Sequence, residues 1–301
     1  MSAFHSLIPW HLFNSNVEFD LSSIMNEHIL GWDCEWLMRP GIFTPDTIQI
    51  SGAKHVWIID GVWLCSEAVQ KEVKADFEAF IVNPKVFHIF KAKDDLDRLA
   101  RYTLIPCLQS IPHVIDIDAL AHAIGFKRET SLSYYLLLTE GYRRSGVITY
   151  RKALDKTARM SDWTQRPLGM KQIFYAAQDA YVTRQVYIGM ARILLMKPNI
   201  NQLKDNLELI KKDVILRAVQ RGKKSTNKTN NQRWNAFFEY KPVLPAELKT
   251  IVHESIELCE DSLYVCNKQN DRFLTIRQSN AIGDQSDTFR RAKPRYFLSH
   301  R

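Results

Sequence analysis

Apolar residues recur along this chain in two rhythms. From His28 they come in short β-type runs: His28-Ile-Leu-Gly-Trp-Asp-Cys-Glu-Trp36, then Thr47–Ile50, then His55–Ile59, set apart by Pro40-Gly41 and Ser51-Gly52. Over Ser66–Ile81 the spacing becomes helical, with Val69, Val73, Phe77 and Phe80 on one stripe, and Pro84 ends that helix. Lys85–Phe90 reads as a fourth strand and His113–Ile117 as a fifth, with a short helix over Asp94–Tyr102 between them. Further helices are predicted over Ala119–Ile124, Leu132–Leu138 and, longest of all, Gly169–Leu195. Three adjoining strands followed by alternating helices and strands predict an α/β domain over residues 28–196. Its centre is a five-stranded mixed β-sheet flanked by helices. No G-x-G-x-x-G follows a strand, so a dinucleotide-binding sheet has no support.

Outside that domain the pattern thins. Residues 1–27 form an N-terminal segment of mixed aromatic and polar character. Residues 197–220 predict a helical extension, its stripe running through Leu203, Leu207, Ile210, Val214 and Leu216. Residues 221–233 are polar and basic, a linker, and 234–301 hold enough apolar groups for a small further region of unassigned function. At 301 residues, 46% hydrophobic and 25% charged, the composition is that of a globular chain, and no apolar run approaches the roughly 20 residues that span a bilayer. No Lys or Arg precedes Arg39, so neither a secretory nor a mitochondrial leader is expected. Five scattered cysteines without a C-x-x-C pair point to reduced thiols in the nucleus or cytoplasm and away from a zinc site. Nothing in the pattern speaks to oligomeric state.

Charge changes the picture more. The net charge is +8, and from Lys197 onward there are 20 basic and 12 acidic residues, so the whole excess lies in the C-terminal third. A neutral body with a basic tail suits a polyanionic partner, with Lys223 and Lys224 as candidate phosphate contacts; a merely solvated tail is the equal alternative.

Three acidic elements are candidates for chemistry. Asp33 and Glu35 sit two apart in the first strand and leave the same face. Acid-x-acid pairs also recur at Glu18/Asp20, Asp76/Glu78, Asp95/Asp97 and Asp116/Asp118, so this spacing alone does not decide between a site and a solvated face. Asp94, Asp95 and Asp97 crowd a helix start, where capping is the ordinary role of an acid. Tyr175 and Asp179 share a face of the long helix, flanked by Ala176, Ala177 and Ala180, small residues that allow close packing on a sheet. Together these carboxylates offer an oxygen-rich set of the kind that holds Mg²⁺ or Mn²⁺.

In order and spacing, the three segments resemble the motifs of DEDDy 3′-5′ exonucleases of the ribonuclease H-like superfamily. The likeness is nearest the RNase D, Werner exonuclease and exonuclease 3′-5′ domain-containing branches. Trp32-Asp-Cys-Glu-Trp36 is similar to the first motif, and Lys93-Asp-Asp-Leu-Asp-Arg-Leu99 to the second, in a register that selects Asp95. Ser161-Asp-Trp163, Arg166-Pro-Leu168 and Tyr175-Ala-Ala-Gln-Asp179 match the third and its approach. Phe90, where many relatives carry His, and a long Thr139–Arg151 stretch depart from the pattern.

The resemblance implies a two-metal 3′-5′ exonuclease acting on RNA or DNA 3′ ends. Asp33 would bridge both ions, Glu35 and Asp179 would hold one of them, and Asp95 would anchor the other. Tyr175 would orient the attacking water. Trp36, Leu37 and Met38, just past the first motif, would either stack on the terminal base or belong to the core. The alternative function is a catalytically silent nucleic-acid-binding adaptor on the same fold.

Overall fold

The computed structural model describes residues 10–13, 24–36, 45–64, 66, 69, 71–91, 95–96, 99, 111–126, 130–140, 156–195 and 246–258. The chain divides into two compact units, residues 1–259 and 260–301, and every described residue belongs to the first. The elements in order are β1 (Trp10–Phe13), β2 (Ile29–Glu35), β3 (Thr47–Ser51), β4 (Val56–Asp60), α1 (Gly61–Leu64), α2 (Lys71–Ile81), β5 (Phe87–Phe90), β6 (Val114–Asp116), α3 (Ile117–Ile124), α4 (Leu132–Glu140), α5 (Lys156–Arg159), α6 (Met170–Leu195) and α7 (Ala246–Leu258). Leu37, Met38, Lys223 and Lys224 lie outside the described residues, as do the predicted extension and linker over 197–233.

The strands form one mixed sheet in the order β1-β4-β3-β2-β5-β6. β3 runs antiparallel to both of its neighbours, and the other pairings are parallel. The sheet therefore has six strands rather than the expected five. The addition is β1, drawn from the N-terminal segment and paired with β4 from Trp10↔Val56 to Phe13↔Ile59. It is an edge strand of four residues, half-buried at Trp10 and Leu12 and exposed at His11, so it carries no clean alternation to read. α2 begins at Lys71 rather than near Ser66.

Both faces of the sheet are covered. On one side Leu30, Trp32, Ile48, Ile50, Trp57 and Phe90 pack with Phe77 and Phe80 of α2. Phe90 stacks on Trp32 with ring centroids 5.5 Å apart, so this departure from the family pattern is part of the core. On the other side lies α6, 26 residues and about 39 Å long. It approaches β2 so closely at Gly31 that a Cβ there would stand 2.3 Å from the Ala180 carbonyl oxygen and 2.6 Å from the Arg184 nitrogen. Fully buried Arg184 reinforces the contact, its Nε donating to the Ile29 carbonyl at 3.0 Å. Further along, the Tyr187 hydroxyl hydrogen-bonds Ser255 of α7, beside buried Val252 and Ile256. Among the described residues no helix is long and apolar enough to cross a membrane.

Candidate active site

Strand pleating decides which side chains of β2 meet α6. Leu30, Trp32 and Cys34 point into the α2-side core, and Trp36, half-buried, packs against that same cluster. Asp33 and Glu35 alternate with them and leave on the α6 side at the C-terminal end of the strand, both half-buried. β3 lies across from them: Gln49 is opposite Asp33, and Thr47 is opposite Glu35. Both are fully buried polar residues on the carboxylates' face. Gln49 Nε2 donates to Thr47 Oγ1 at 2.5 Å, while Gln49 Oε1 has no hydrogen-bond partner among the described residues. Its polar alternation with Ile48 and Ile50 was the available sequence signal, and nothing in the motif pattern singled it out.

α6 closes the site. Ala176, Ala177 and Ala180 pack with Val56 and Ile58 of β4, which turns Tyr175 and Asp179 toward β2. Ligand atoms of Asp33, Glu35 and Asp179 all lie within 4.8 Å of one another. The Tyr175 hydroxyl donates to the Asp179 carboxylate. Asp95 is helical and half-buried; it stands outside this triad, but its charge acts on both Asp33 and Glu35. The structure thus brings three of the four predicted ligands together, with Tyr175 beside them and the fourth within electrostatic reach.

Such crowding is costly without a cation. Burial, then the charges of Glu35, Asp179 and Asp95, hold Asp33 well above the ordinary carboxylate range. Burial and then the charge of Asp179 push Glu35 up to about 9, against a lowering by Arg159. Burial raises Asp179 to about 6, although the Tyr175 hydrogen bond and Arg159 both oppose it. Tyr175 is itself pushed up by burial and by the same carboxylates, so at neutral pH its hydroxyl is a hydrogen-bond donor and not a base. A cluster of hard oxygen donors, each reluctant to ionise beside the others, with an unsatisfied amide oxygen in the adjoining strand, fits a divalent metal ion.

The sign of the pH dependence follows. A carboxylate whose folded pKa is raised stabilises the fold below its unfolded pKa and loses that contribution as pH climbs through the folded one. The window runs from 3.8 to about 6 for Asp179 and from 4.5 to about 9 for Glu35. The metal-free protein should therefore melt at falling temperatures as pH rises toward about 9, and Mn²⁺ should bind more tightly, expelling protons, over the same range. Calorimetric titration in two buffers of different ionisation enthalpy counts those protons; an affinity that does not change with pH would contradict the assignment.

The residues before α6 brace it. Arg166 donates through Nε to the Asp60 carboxylate at the end of β4, through Nη2 to the Asp46 carbonyl (2.7 Å) and through Nη1 to the Trp163 carbonyl (2.8 Å). Asp162 accepts from the Thr164 amide (2.9 Å) and hydroxyl (2.6 Å), closing a turn. Gln172 reaches back from the first turn of α6 to Ser161 Oγ (3.1 Å) and the Asp162 carbonyl (2.9 Å). Buried Trp163 rests with its ring centroid 6.2 Å from that of Tyr175. The segment that most resembled a family motif is thus a splint that sets the register of Tyr175 and Asp179. Arg159, two positions upstream of it, is a residue that motif reading passed over.

A model of the 3′-5′ exonuclease family matches residues 17–195. The Ribonuclease D of Bartonella henselae is 24% identical over 213 residues, 70% of this chain and 47% of its own length. The Ribonuclease D of Acidiphilium cryptum is 29% identical over 157 residues, 51% of this chain and 35% of its own length. The chain spans less than half the length of these curated relatives. Among solved structures, the Nibbler EXO domain of Aedes aegypti is similar at 19% identity and a TM-score of 0.48, over 76% of this chain and 95% of that one.

Proposed function

This chain belongs to the 3′-5′ exonuclease family, and from that premise we propose that it removes nucleotides singly from the 3′ ends of RNA or DNA, releasing nucleoside 5′-monophosphates. The observation that carries the reading is the convergence of Asp33, Glu35 and Asp179 within 4.8 Å, from a strand and a helix far apart in the chain. Asp33, on which the charges of the other three acids converge, would serve both ions; Glu35 and Asp179 would hold one of them, and Asp95 would anchor the other. Two Mg²⁺ or Mn²⁺ ions bound there would supply Lewis acidity to the attacking water and to the departing oxygen.

The protein's own groups do the rest. The Tyr175 hydroxyl, kept protonated, orients the water whose oxygen forms the new bond to phosphorus. The bond from phosphorus to the 3′ oxygen of the preceding nucleotide breaks, and that oxygen takes up a proton, leaving a chain one nucleotide shorter. The name Ribonuclease D borne by the relatives favours RNA as the substrate.

The test uses one sequence as labelled RNA and DNA, single- and double-stranded. Stepwise shortening from the 3′ end with release of 5′-monophosphates is expected in Mn²⁺ or Mg²⁺, abolished by chelator and restored by metal. Binding that persists in chelator, with no cleavage of any of the four substrates, would instead identify a silent adaptor.

A further inference from the structure

Next to the carboxylates the fold presents a cation that none of the acidic motifs includes. α5 is turned so that Ala158 is buried in the same core as Trp163, Tyr175, Ala176 and Ala177, which leaves Arg159 and Met160 facing solvent at the rim of the site. The backbone there is pinned twice. Trp163 Nε1 donates to the Arg159 carbonyl at 3.3 Å, and Ser161 Oγ donates to the Ala158 carbonyl at 2.6 Å. Since Trp163 also rests against Tyr175, the position of Arg159 is tied to the residues that carry the chemistry. Its charge reaches Glu35 and Asp179 from the exposed side of the cluster.

We propose that Arg159 is a further substrate-contacting residue, whose guanidinium grips the scissile phosphate and balances the charge that gathers on it. The inference rests on the exonuclease reading above. A charge count leads to it. Four ionised carboxylates and two divalent ions cancel, so a phosphodiester enters a neutral site carrying one negative charge. It gains a second as a deprotonated water oxygen adds to phosphorus. The guanidinium fork matches two phosphate oxygens at once, which gives it more hold in the transition state than a point charge has. Lys91, at the end of β5, is placed differently: it is ion-paired with Asp118 and lies 5.5 Å over the Tyr135 ring.

A rival role is that Arg159 merely offsets carboxylate repulsion in the metal-free protein. The two roles differ in what substrate binding loses. Under either, R159Q removes a charge that repels metal but also lets Glu35 and Asp179 hold their protons more firmly, so Mn²⁺ affinity followed by electron paramagnetic resonance should stay within about threefold of the wild type. Only a phosphate contact also predicts a loss toward substrate. We expect kcat/KM to fall about 100-fold. We also expect RNA and DNA oligonucleotides with a phosphorothioate terminal linkage to bind about tenfold more weakly by fluorescence anisotropy. R159K should recover part of both, and the melting temperature of either variant should stay at the wild-type value because the side chain is exposed.

Wild-type oligonucleotide affinity in R159Q overturns the proposal, whether or not any turnover is seen. So does a fall in Mn²⁺ affinity well beyond about threefold, which marks a structural role. If the wild type cleaves nothing and yet R159Q binds oligonucleotides more weakly, the exonuclease reading fails while the phosphate contact stands.

Discussion

The D33N variant is expected to lose nucleotide release altogether, a fall of at least about a thousandfold, and yet to be harder to melt than the wild type when both are metal-free. Both halves come from one circumstance. Asp33 stands among Glu35, Asp179 and Asp95 in a half-buried site, and burial together with those three charges opposes its ionisation. Asparagine has nearly the same shape, so packing against α6 is kept while a charge is withdrawn from a crowded cluster. Repulsion falls and metal-free stability rises. The same change removes a candidate metal ligand from the middle of the cluster, so the gain in melting temperature expected of the wild type in Mn²⁺ should vanish. Scanning fluorimetry with and without Mn²⁺, beside the release assay, reads both effects. A variant that keeps wild-type activity, or that still responds fully to Mn²⁺, would remove Asp33 from the centre of the site.

The second large effect is expected at a residue with no chemistry. G31A adds one methyl where the nearest atoms are backbone on α6: the Ala180 oxygen at 2.3 Å and the Arg184 nitrogen at 2.6 Å. Neither is the tip of a flexible side chain, so the helix itself must move by something near 1 Å. We expect the melting temperature to drop by about 10 °C or more, as for an overpacked core contact in a domain of this size. The displaced helix carries Tyr175 and Asp179. Misplacing catalytic groups by about 1 Å costs on the order of 100-fold in rate, so activity should fall well before the protein unfolds. Rates measured at a temperature where G31A remains folded separate the two losses; full activity there would mean that α6 absorbs the methyl without moving the site.

Much of this arrangement was legible in the residues, and the failures are instructive. Strands β2 to β6 and the long helix were readable because each carries its own periodicity. β1 was not, since its four residues gain their order from pairing with β4, 46 positions away at Trp10↔Val56. The carboxylates make the sharper case. Asp116/Asp118 has the same spacing as Asp33/Glu35, but Asp116 caps α3 by accepting from the Asp118 and Ala119 amides, while Asp118 pairs with Lys91 and accepts from the Tyr135 hydroxyl at 2.6 Å. Asp76 simply faces solvent on α2. Identical local patterns thus serve as a cap, an ion pair, a wet surface and a candidate metal cluster. What separates them is the element packed on that face, which no short window contains. Arg159 was hidden for a related reason: a single arginine ending a four-residue helix has no pattern until α6 is docked beside it.

The contact between the first and last parts of this domain also sets an order of events during synthesis. Arg184 takes the carbonyl of a residue 155 positions earlier, and Asp179 joins Asp33 across a similar stretch of chain. A ribosome adding about 5–20 residues per second needs on the order of ten seconds to pass from one to the other. For that interval the nascent protein displays two carboxylates without the third, beside the very message being translated. A cluster divided in this way is assembled only after the coding sequence for its second half has been read.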